Sequence, residues 1–444
     1  GKGRKHPKEA DVFLHIAMKV AKNCRYVEPQ FTLRFDKETS EEIWDEALDA
    51  LGAGATYPTL YNDDVNVPAV MYGMRVDEKT AEQYVPFGCT EFVIQGQSTG
   101  TPNICINLLK LLTIYMNDGI DPIDGKRKSG PVSLKKLEEY QTFEEFYDGY
   151  KALLDYYLDL SVKAQYHSYE VMNQHVSFLF TSLLTDDCIA RGKALLDGGV
   201  RYLGGTNETY GNINTSDSLW VIRDLVFNQK KYTLRQLNDA MLANFNGYEA
   251  LRKDCLNCDK YGNDLETADT MANDLYEFVA KGVRNRGIAI GMQYFLIVIS
   301  NNQLNTEWGN RTAASPDGRL SCMYMNPANN PQGGANKSGP TAMLNSLAKF
   351  DAKYHGGSVQ NIKFSPSMFN ENRAVIKSLF KTYFAKGGCH LMVTVVDKGV
   401  LEDAVEHPEN YPDLIVRVSG FSAVFVDLSP NIQQELLSRV LYDK

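Results

Sequence analysis

Two short stretches of this 444-residue chain combine side chains and spacings that could do chemistry. The first is Gly88-Cys89-Thr90-Glu91, which follows the apolar run Tyr84-Val85-Pro86-Phe87. An apolar run ending in Gly-Cys predicts a cysteine at a loop tip, and in extended backbone residues two apart point the same way. Cys89 and Glu91 would then face one cavity. A thiol beside a carboxylate suits hydrogen-atom abstraction by a thiyl radical, with the carboxylate taking a proton, or else attack by a thiolate. Thiolate chemistry needs a histidine or another cation to lower the thiol pKa, whereas a neighbouring carboxylate raises it. The electrostatics therefore favour a neutral thiol. The second stretch is Arg417-Val418-Ser419-Gly420-Phe421-Ser422-Ala423-Val424-Phe425-Val426-Asp427-Leu428. It sets a glycine between a basic-polar lead-in and a run that reads as a buried strand. Each alone has a plainer reading: Gly420 as a turn glycine before a strand, Cys89 as a buried structural thiol.

The elements that must position these residues follow from patterning. Val12, Phe13, Ile16, Ala17 and Val20 form an apolar stripe at helical spacing, predicting a helix over the first ~25 residues. Residues 31–35 alternate as a strand does. Thr39 or Ser40 caps a helix that ends at Leu51, before Gly52 and Gly54. Residues 57–72 read as strand and turn, 86–103 as a loop, and 104–117 as helix. An aromatic-rich helical region spans 135–200, and a glycine-punctuated loop follows to Gly211. Helices are expected near 216–228, 233–247 and 267–281, a long loop over 308–340, a buried strand at 392–397, and an amphipathic helix near the C-terminus. Short strands alternating with helices predict an α/β sheet or barrel.

Composition narrows the function classes. A net charge of −9 argues against nucleic acid and anionic membrane surfaces, and 43% hydrophobic residues suffice for a large core. No stretch approaches a membrane span, and no apolar signal region follows Gly1-Lys2-Gly3-Arg4-Lys5-His6, so the reading is a cytoplasmic protein. The eight cysteines are scattered, as reduced thiols would be. Cys255 and Cys258 form the only close pair, with no histidine at ligand spacing, and no metal is expected. His167 and His175 sit in packed helical context and read as structural. The Gly-rich stretch at 333–339 lacks the ending of a phosphate loop and reads as tight packing.

The stretch around Gly420 closely resembles the glycyl-radical loop of the pyruvate formate-lyase superfamily. In that family the glycine at this position stores an unpaired electron on its Cα. Without a Cβ the backbone can flatten and delocalise the radical, and another loop can approach closely. Gly88-Cys89-Thr90-Glu91 resembles the family's Gly-Cys-x-Glu loop at the barrel centre. Further matches are Tyr61-Asn62-Asp63-Asp64-Val65, Thr312-Ala313-Ala314-Ser315-Pro316-Asp317-Gly318-Arg319, residues 333–341, Val359-Gln360-Asn361-Ile362-Lys363-Phe364, and Tyr411 to Arg417. They occur in the family's order, and the C-terminal third resembles the subgroup that includes hydroxyproline dehydratase.

The resemblance implies a glycyl radical enzyme-type barrel, here its C-terminal half, surrounded by helices. Residues 1–400 would be the pyruvate formate-lyase-like region and 401–444 the glycine radical domain. It implies that Gly420 is converted to a radical by an iron–sulfur activating enzyme using S-adenosylmethionine, with no cofactor bound in this chain. Gly420 would take hydrogen from Cys89, Cys89 from the substrate, and Glu91 would be the base. The implied activity is that of a lyase or dehydratase eliminating a C–O, C–N or C–S bonded group from a small hydroxylated or amino substrate. Alternatives are an arylacetate-type decarboxylase, a formate acetyltransferase-like enzyme, a radical-bearing repair subunit, or an ordinary cysteine-nucleophile enzyme. Thr90 departs from the formate-lyases, which have two adjacent cysteines. Phe92 to Gln97, and Asn103 where glycerol dehydratase-like enzymes carry an aspartate, depart from the diol and choline enzymes. Arg319, Asn103 and His390 are candidate substrate contacts; Arg417 and Ser419 are candidate supports of the radical loop. Family members are usually much longer, so a second polypeptide is expected to complete the barrel, and the complete unit to form a homo-oligomer.

Overall fold

Segment 355–364 joins two sheets, and this join sets the architecture. The computed structural model describes residues 7–24, 26–299 and 303–443; Gly1 to His6, read above for targeting, lie outside these. One sheet is built from β1 (Thr32–Phe35) and β2 (Thr59–Asn62), with later strands β9 (Asn361–Phe364), β10 (His390–Val395) and β13 (Leu441–Tyr442). Its order is β1-β2-β10-β9-β13, with only the β2–β10 pair antiparallel. The other sheet, β5 (Asn103–Asn107), β6 (Gly204–Tyr210), β7 (Tyr294–Ile299) and β8 (His355–Ser358), is wholly parallel. β8 pairs with β7, and β9, two residues later, pairs with β10. The two sheets are thereby linked through consecutive strands. Two hairpins complete the strands: β3 (Tyr84–Phe87) with β4 (Glu91–Ile94), and β11 (Ile415–Arg417) with β12 (Ser422–Val424).

Helices cover the outer face of the parallel sheet. β7 is buried at every position, as expected of a strand covered on both sides. Its Phe295, Ile297 and Ile299 share one apolar cluster with Leu275, Val279 and Val283 of helix Glu266–Ala289 and with Leu154, Leu158 and Val162 of helix Phe143–His175. Each such side chain contributes about 1.5–3 kcal/mol by leaving water. A separate cluster, Val396, Leu401, Ala404, Val416, Val418, Phe425, Ile432 and Leu436, packs the β11–β12 hairpin against the C-terminal helix Pro430–Ser438.

Several expectations hold locally. Ser40 accepts from the Ile43 amide and starts helix Glu41–Gly52. Others change. Residues 63–74 are helical, not turn, because Asn62 caps them by accepting from Asp64 N–H. The 86–103 loop contains β4, and the helix expected at 104 begins at Leu108 after strand β5. The loop expected up to Gly211 contains β6, a central strand buried throughout. The run after Gly420 extends only to Val424 before a tight turn at Phe425–Asp427. Helix Pro7–Cys24 forms, but Val12, Phe13, Ile16 and Val20 point outward while Met18 and Ala21 are buried.

Candidate active site

Cys89 sits at the tip of the β3–β4 hairpin, where Phe87 pairs with Glu91 and Gly88-Cys89-Thr90 make the turn. Gly88 has φ +53°, which suits glycine, and a Cβ there would lie 3.1 Å from Glu91 Oε2. The backbone at Cys89 is thus a turn, not extended. Glu91 folds back over it, its Oε2 accepting from Thr90 N–H at 2.9 Å. The base of the hairpin is fixed by Arg34. This guanidinium forks onto Asp63 at 2.9 and 2.8 Å and donates to the carbonyls of Glu82 and Tyr84. The Tyr84 hydroxyl completes the cluster on Asp63 at 2.7 Å.

The β11–β12 hairpin brings Gly420 to the same point from the opposite side. Its tip is closed by Val418 and Ser419 amides donating to Phe421 O, and Gln30 Nε2 donates to Gly420 O at 3.0 Å. Arg439 Nη2 holds the Val418 carbonyl at 2.6 Å. The φ of Gly420 is not left-handed. Close approach is what demands glycine: a Cβ here would lie 2.1 Å from Cys89 Cα and 2.8 Å from its Sγ.

Glu91 is one end of a polar chain. Asn103 Nδ2 donates to Glu91 Oε1 at 3.3 Å and to Glu208 Oε1 at 2.8 Å, while its Oδ1 accepts from Thr206 at 2.6 Å. Tyr210 O–H donates to Glu208 Oε2 at 2.5 Å. Asn103, expected as a substrate contact, lies between two carboxylates. Sequence reasoning missed Glu208, Tyr210, Thr206 and the Arg34–Asp63–Tyr84 anchor. The alternation Gly204, Thr206, Glu208, Tyr210 was the available signal, hidden by the two glycines that open the strand.

Burial, then Glu91 and Glu208, push the Cys89 thiol well above its ordinary pKa, against a smaller opposing pull from Arg417. Cys89 is a neutral thiol, as the sequence argument required. Burial, reinforced by Glu208, also raises Glu91, while amide hydrogen bonds such as that of Thr90 oppose the rise. Neighbouring Cys105 is pushed up to about 12 by burial and Glu208.

The remaining candidates divide. Arg417 is fully buried in the radical hairpin, its guanidinium against Met392 Sδ, Ser422 Oγ and the Tyr57 ring. Burial lowers its pKa. Ser419 is sealed beside Gly420, its Oγ without a hydrogen-bond partner among the described residues. His390 is buried edge-on to Tyr61 and accepts from the Gln360 amide, and burial drives its pKa far down, so it is neutral and closed to solvent. Arg319 is corrected. Its guanidinium donates to the carbonyls of Gly309, Thr312, Ala313, Met323 and Tyr324, so it staples its own loop.

Two family models match the chain, "Pyruvate formate lyase-like" over residues 1–304 and "Glycine radical" over residues 325–426. The chain belongs to the pyruvate formate lyase-like family. Cys89 and Glu91 fall in the first match and Gly420 in the second. Trans-4-hydroxy-L-proline dehydratase of Clostridioides difficile is 30% identical over 96% of this chain and 54% of that protein. (2S)-3-sulfopropanediol dehydratase of Klebsiella oxytoca is 28% identical, covering 94% and 51%. The glycerol-bound B12-independent glycerol dehydratase of Clostridium butyricum superposes with a TM-score of 0.91 at 29% identity, over 97% of this chain and 55% of that one. The fold shared with this structure is of the mixed α/β class expected. The chain spans about half the length of the relatives it matches. Among the described residues no helix is long and apolar enough to cross a membrane.

Proposed function

We propose that this chain carries the radical centre of a glycyl radical lyase of the dehydratase type. The observation that supports it best is the contact of two hairpin tips, Gly420 on Cys89, with a buried carboxylate over the thiol. The Gly420 Cα radical takes a hydrogen atom from the Cys89 thiol. The thiyl takes one from the substrate carbon that bears a hydroxyl, and Glu91 accepts the hydroxyl proton. The group on the adjacent carbon leaves as that bond breaks. The product radical then recovers a hydrogen atom from Cys89, which restores the thiol and returns the spin to Gly420. A neutral, high-pKa thiol suits this route, since hydrogen-atom transfer needs the S–H bond intact.

Cys89 and Glu91 facing Gly420 argue against a repair subunit, which needs only the glycine loop. An activating enzyme of the iron–sulfur, S-adenosylmethionine type would install the radical on Gly420. The remainder of the family barrel would come from further polypeptide. In support, β5 ends the parallel sheet with an unpaired edge among the described residues, and Phe178, Leu179, Phe180, Leu183, Leu184 and Ile189 are exposed together. The test is an anaerobic electron paramagnetic resonance spectrum of the assembled protein after incubation with an activating enzyme, S-adenosylmethionine and reductant. A doublet lost in Gly420→Ala supports the reading; a silent spectrum from a folded, complete assembly overturns it.

A further inference from the structure

We propose that Lys363 is a positioning residue of the loop that carries Gly420: its ammonium, buried without an ion pair under the C-terminal helix, weakens the seat of the β11–β12 hairpin on the sheet, and the seat tightens once that charge is lost. The inference goes beyond the catalytic reading and holds whether or not Gly420 carries a radical.

Lys363 lies on β9, in register with Thr394 of β10 on one side and Leu441 of β13 on the other, and is 7% exposed. Its Nζ donates to Leu436 O at 3.0 Å, a carbonyl in the last turn of helix Pro430–Ser438. That is the one hydrogen bond of this ammonium among the described residues, and it forms no ion pair there. The carboxylate that acts on it, buried Glu435, is already taken: Arg439 Nε and Nη2 hold its two oxygens at 2.9 and 2.8 Å. The same guanidinium donates to Val418 O at the hairpin tip. Val416 and Val418 of the hairpin share an apolar cluster with Ile432 and Leu436 of the helix, so hairpin and helix form one packed unit with Lys363 beneath it.

The groups facing Lys363 do not compensate its charge. Arg439 follows the C-terminal helix, Lys398 opens helix Lys398–Glu406, and Arg417 of β11 shares with Lys363 and Arg439 the lining of a cavity of about 50 Å³. The acid facing these cations is Glu435. Tyr442 of β13 also lines the cavity, and burial holds its hydroxyl above the ordinary range, so it stays neutral. Val396, Leu401, Val416 and Leu436 supply apolar lining, and the space admits only a few waters. An ammonium in such surroundings is disfavoured relative to one in water. Burial, then Arg439, brings Lys363 down to about 8, with a smaller push from Lys398 and against the pull of Glu435. A lifted unit exposes Lys363 to water, where a lysine keeps its proton to about 10.4. Below about 8 both forms are charged and the seat bears the full penalty. Between about 8 and about 10.4 the seated form has lost its proton and the lifted form has kept it, so seating gains as pH rises, by up to about tenfold per unit.

Hydrogen exchange of the folded protein without the radical tests this. Protection factors are measured at residues 416–424 and 431–438 at pH 7, 8 and 9, with strand Tyr294–Ile299 as the control. Wild-type protection should rise about tenfold from pH 7 to pH 9 in the unit and stay level in the control. Lys363→Met, uncharged and of similar length, should exceed the wild type about 10- to 100-fold at pH 7 and show no pH dependence. Lys363→Arg, which stays charged, should remain weakly protected throughout. Lower protection in Lys363→Met at pH 7, or a wild-type profile that is flat or falls with pH, would overturn the proposal, since Lys363 would then be an ordinary tie to Leu436. The wild-type profile decides it even where a variant misfolds. A silent paramagnetic resonance spectrum with a rising profile sinks the catalytic reading alone, and a doublet with a flat profile sinks only the role of Lys363.

Discussion

The α-carbon of Gly420 rests so closely on Cys89 that a methyl group there would overlap the cysteine Cα at 2.1 Å. The nearest atom is backbone, so no side-chain rotation can make room. Gly420→Ala should destabilise the fold by about 1–3 kcal/mol, the usual cost of overpacking. Cys89→Ala should not rescue it. Cys89→Ser should fold normally and keep the radical doublet, yet lose turnover to the detection limit, because the serine O–H bond is too strong to hand its hydrogen to a glycyl radical. Denaturant midpoints, spectra and product assays on the three variants check this.

Glu91 works as a base only when ionised. Its pKa lies above the ordinary carboxylate range because it is buried beside Glu208. The rate should therefore fall as pH drops through that raised value, placing the acid limb above about 4.3, the model-peptide value for glutamate. Glu91→Gln should lower kcat by about 10²- to 10⁴-fold and remove the limb. A wild-type limb at or below the ordinary value would contradict the assignment of the base.

Arg439 ties the C-terminal helix to the radical loop, pairing with Glu435 at 2.8 Å while donating to Val418 O at 2.6 Å. Both charges are nearly sealed, at 10% and 2% side-chain exposure. Arg439→Met removes the direct partner of buried Glu435, leaving Lys363 as the remaining cation that acts on it, and should cost about 3–5 kcal/mol. The loop should loosen before the barrel does. Faster amide exchange at residues 418–422 and faster decay of the doublet are the expected readouts.

A buried group far from the thiol gives a pH signature in stability. Burial pushes Asp217 up to about 7, against the pull of Lys260 and the Tyr261 amide. The folded state keeps this proton where the unfolded chain, near 3.9, has lost it. This group therefore favours folding most at low pH, and its contribution declines as pH rises from about 4 to about 7, by roughly 1.4 kcal/mol per unit. Asp217→Asn should gain on the wild type across that window and hold a constant advantage above it. Urea midpoints at pH 5, 6 and 8 test this; a flat difference would refute it.

The site was legible where chemistry and local spacing coincide. Gly88-Cys89-x-Glu91 and the loop at Gly420 each had a plainer structural reading alone, and pointed to radical chemistry only together and in the family's order. The neutral thiol was also expected from the sequence, although burial, which only the fold supplies, raises it more than Glu91 does. The route to that pairing was read differently. An extended backbone was expected, but the Cys89 turn lets Glu91 accept from the Thr90 amide and fold back over the tip. Arg319 looked like an anion-binding residue because arginine commonly is one. Only the folded loop showed five carbonyls of its own neighbourhood converging on it.

The sequence by itself determined the local parts: the loop tip at Cys89, the glycine before a strand at 420, the helix capped near Ser40, the aromatic-rich helical region, the buried strand expected at 392–397, and the family's radical motifs in order. These depend on propensity, capping and residue chemistry, which act over a few positions. Tertiary structure alone decided what those parts meet. Glu208 is 119 positions from Cys89 along the chain and reaches its neighbourhood only because β5 and β6 pair in register and Asn103 bridges them. Strand β6 itself was hidden by its glycines, whose burial in a parallel sheet outweighs their weak strand propensity. The contact of Gly420 with Cys89 joins residues 331 positions apart, and only the packing of the β3–β4 and β11–β12 hairpins brings it about.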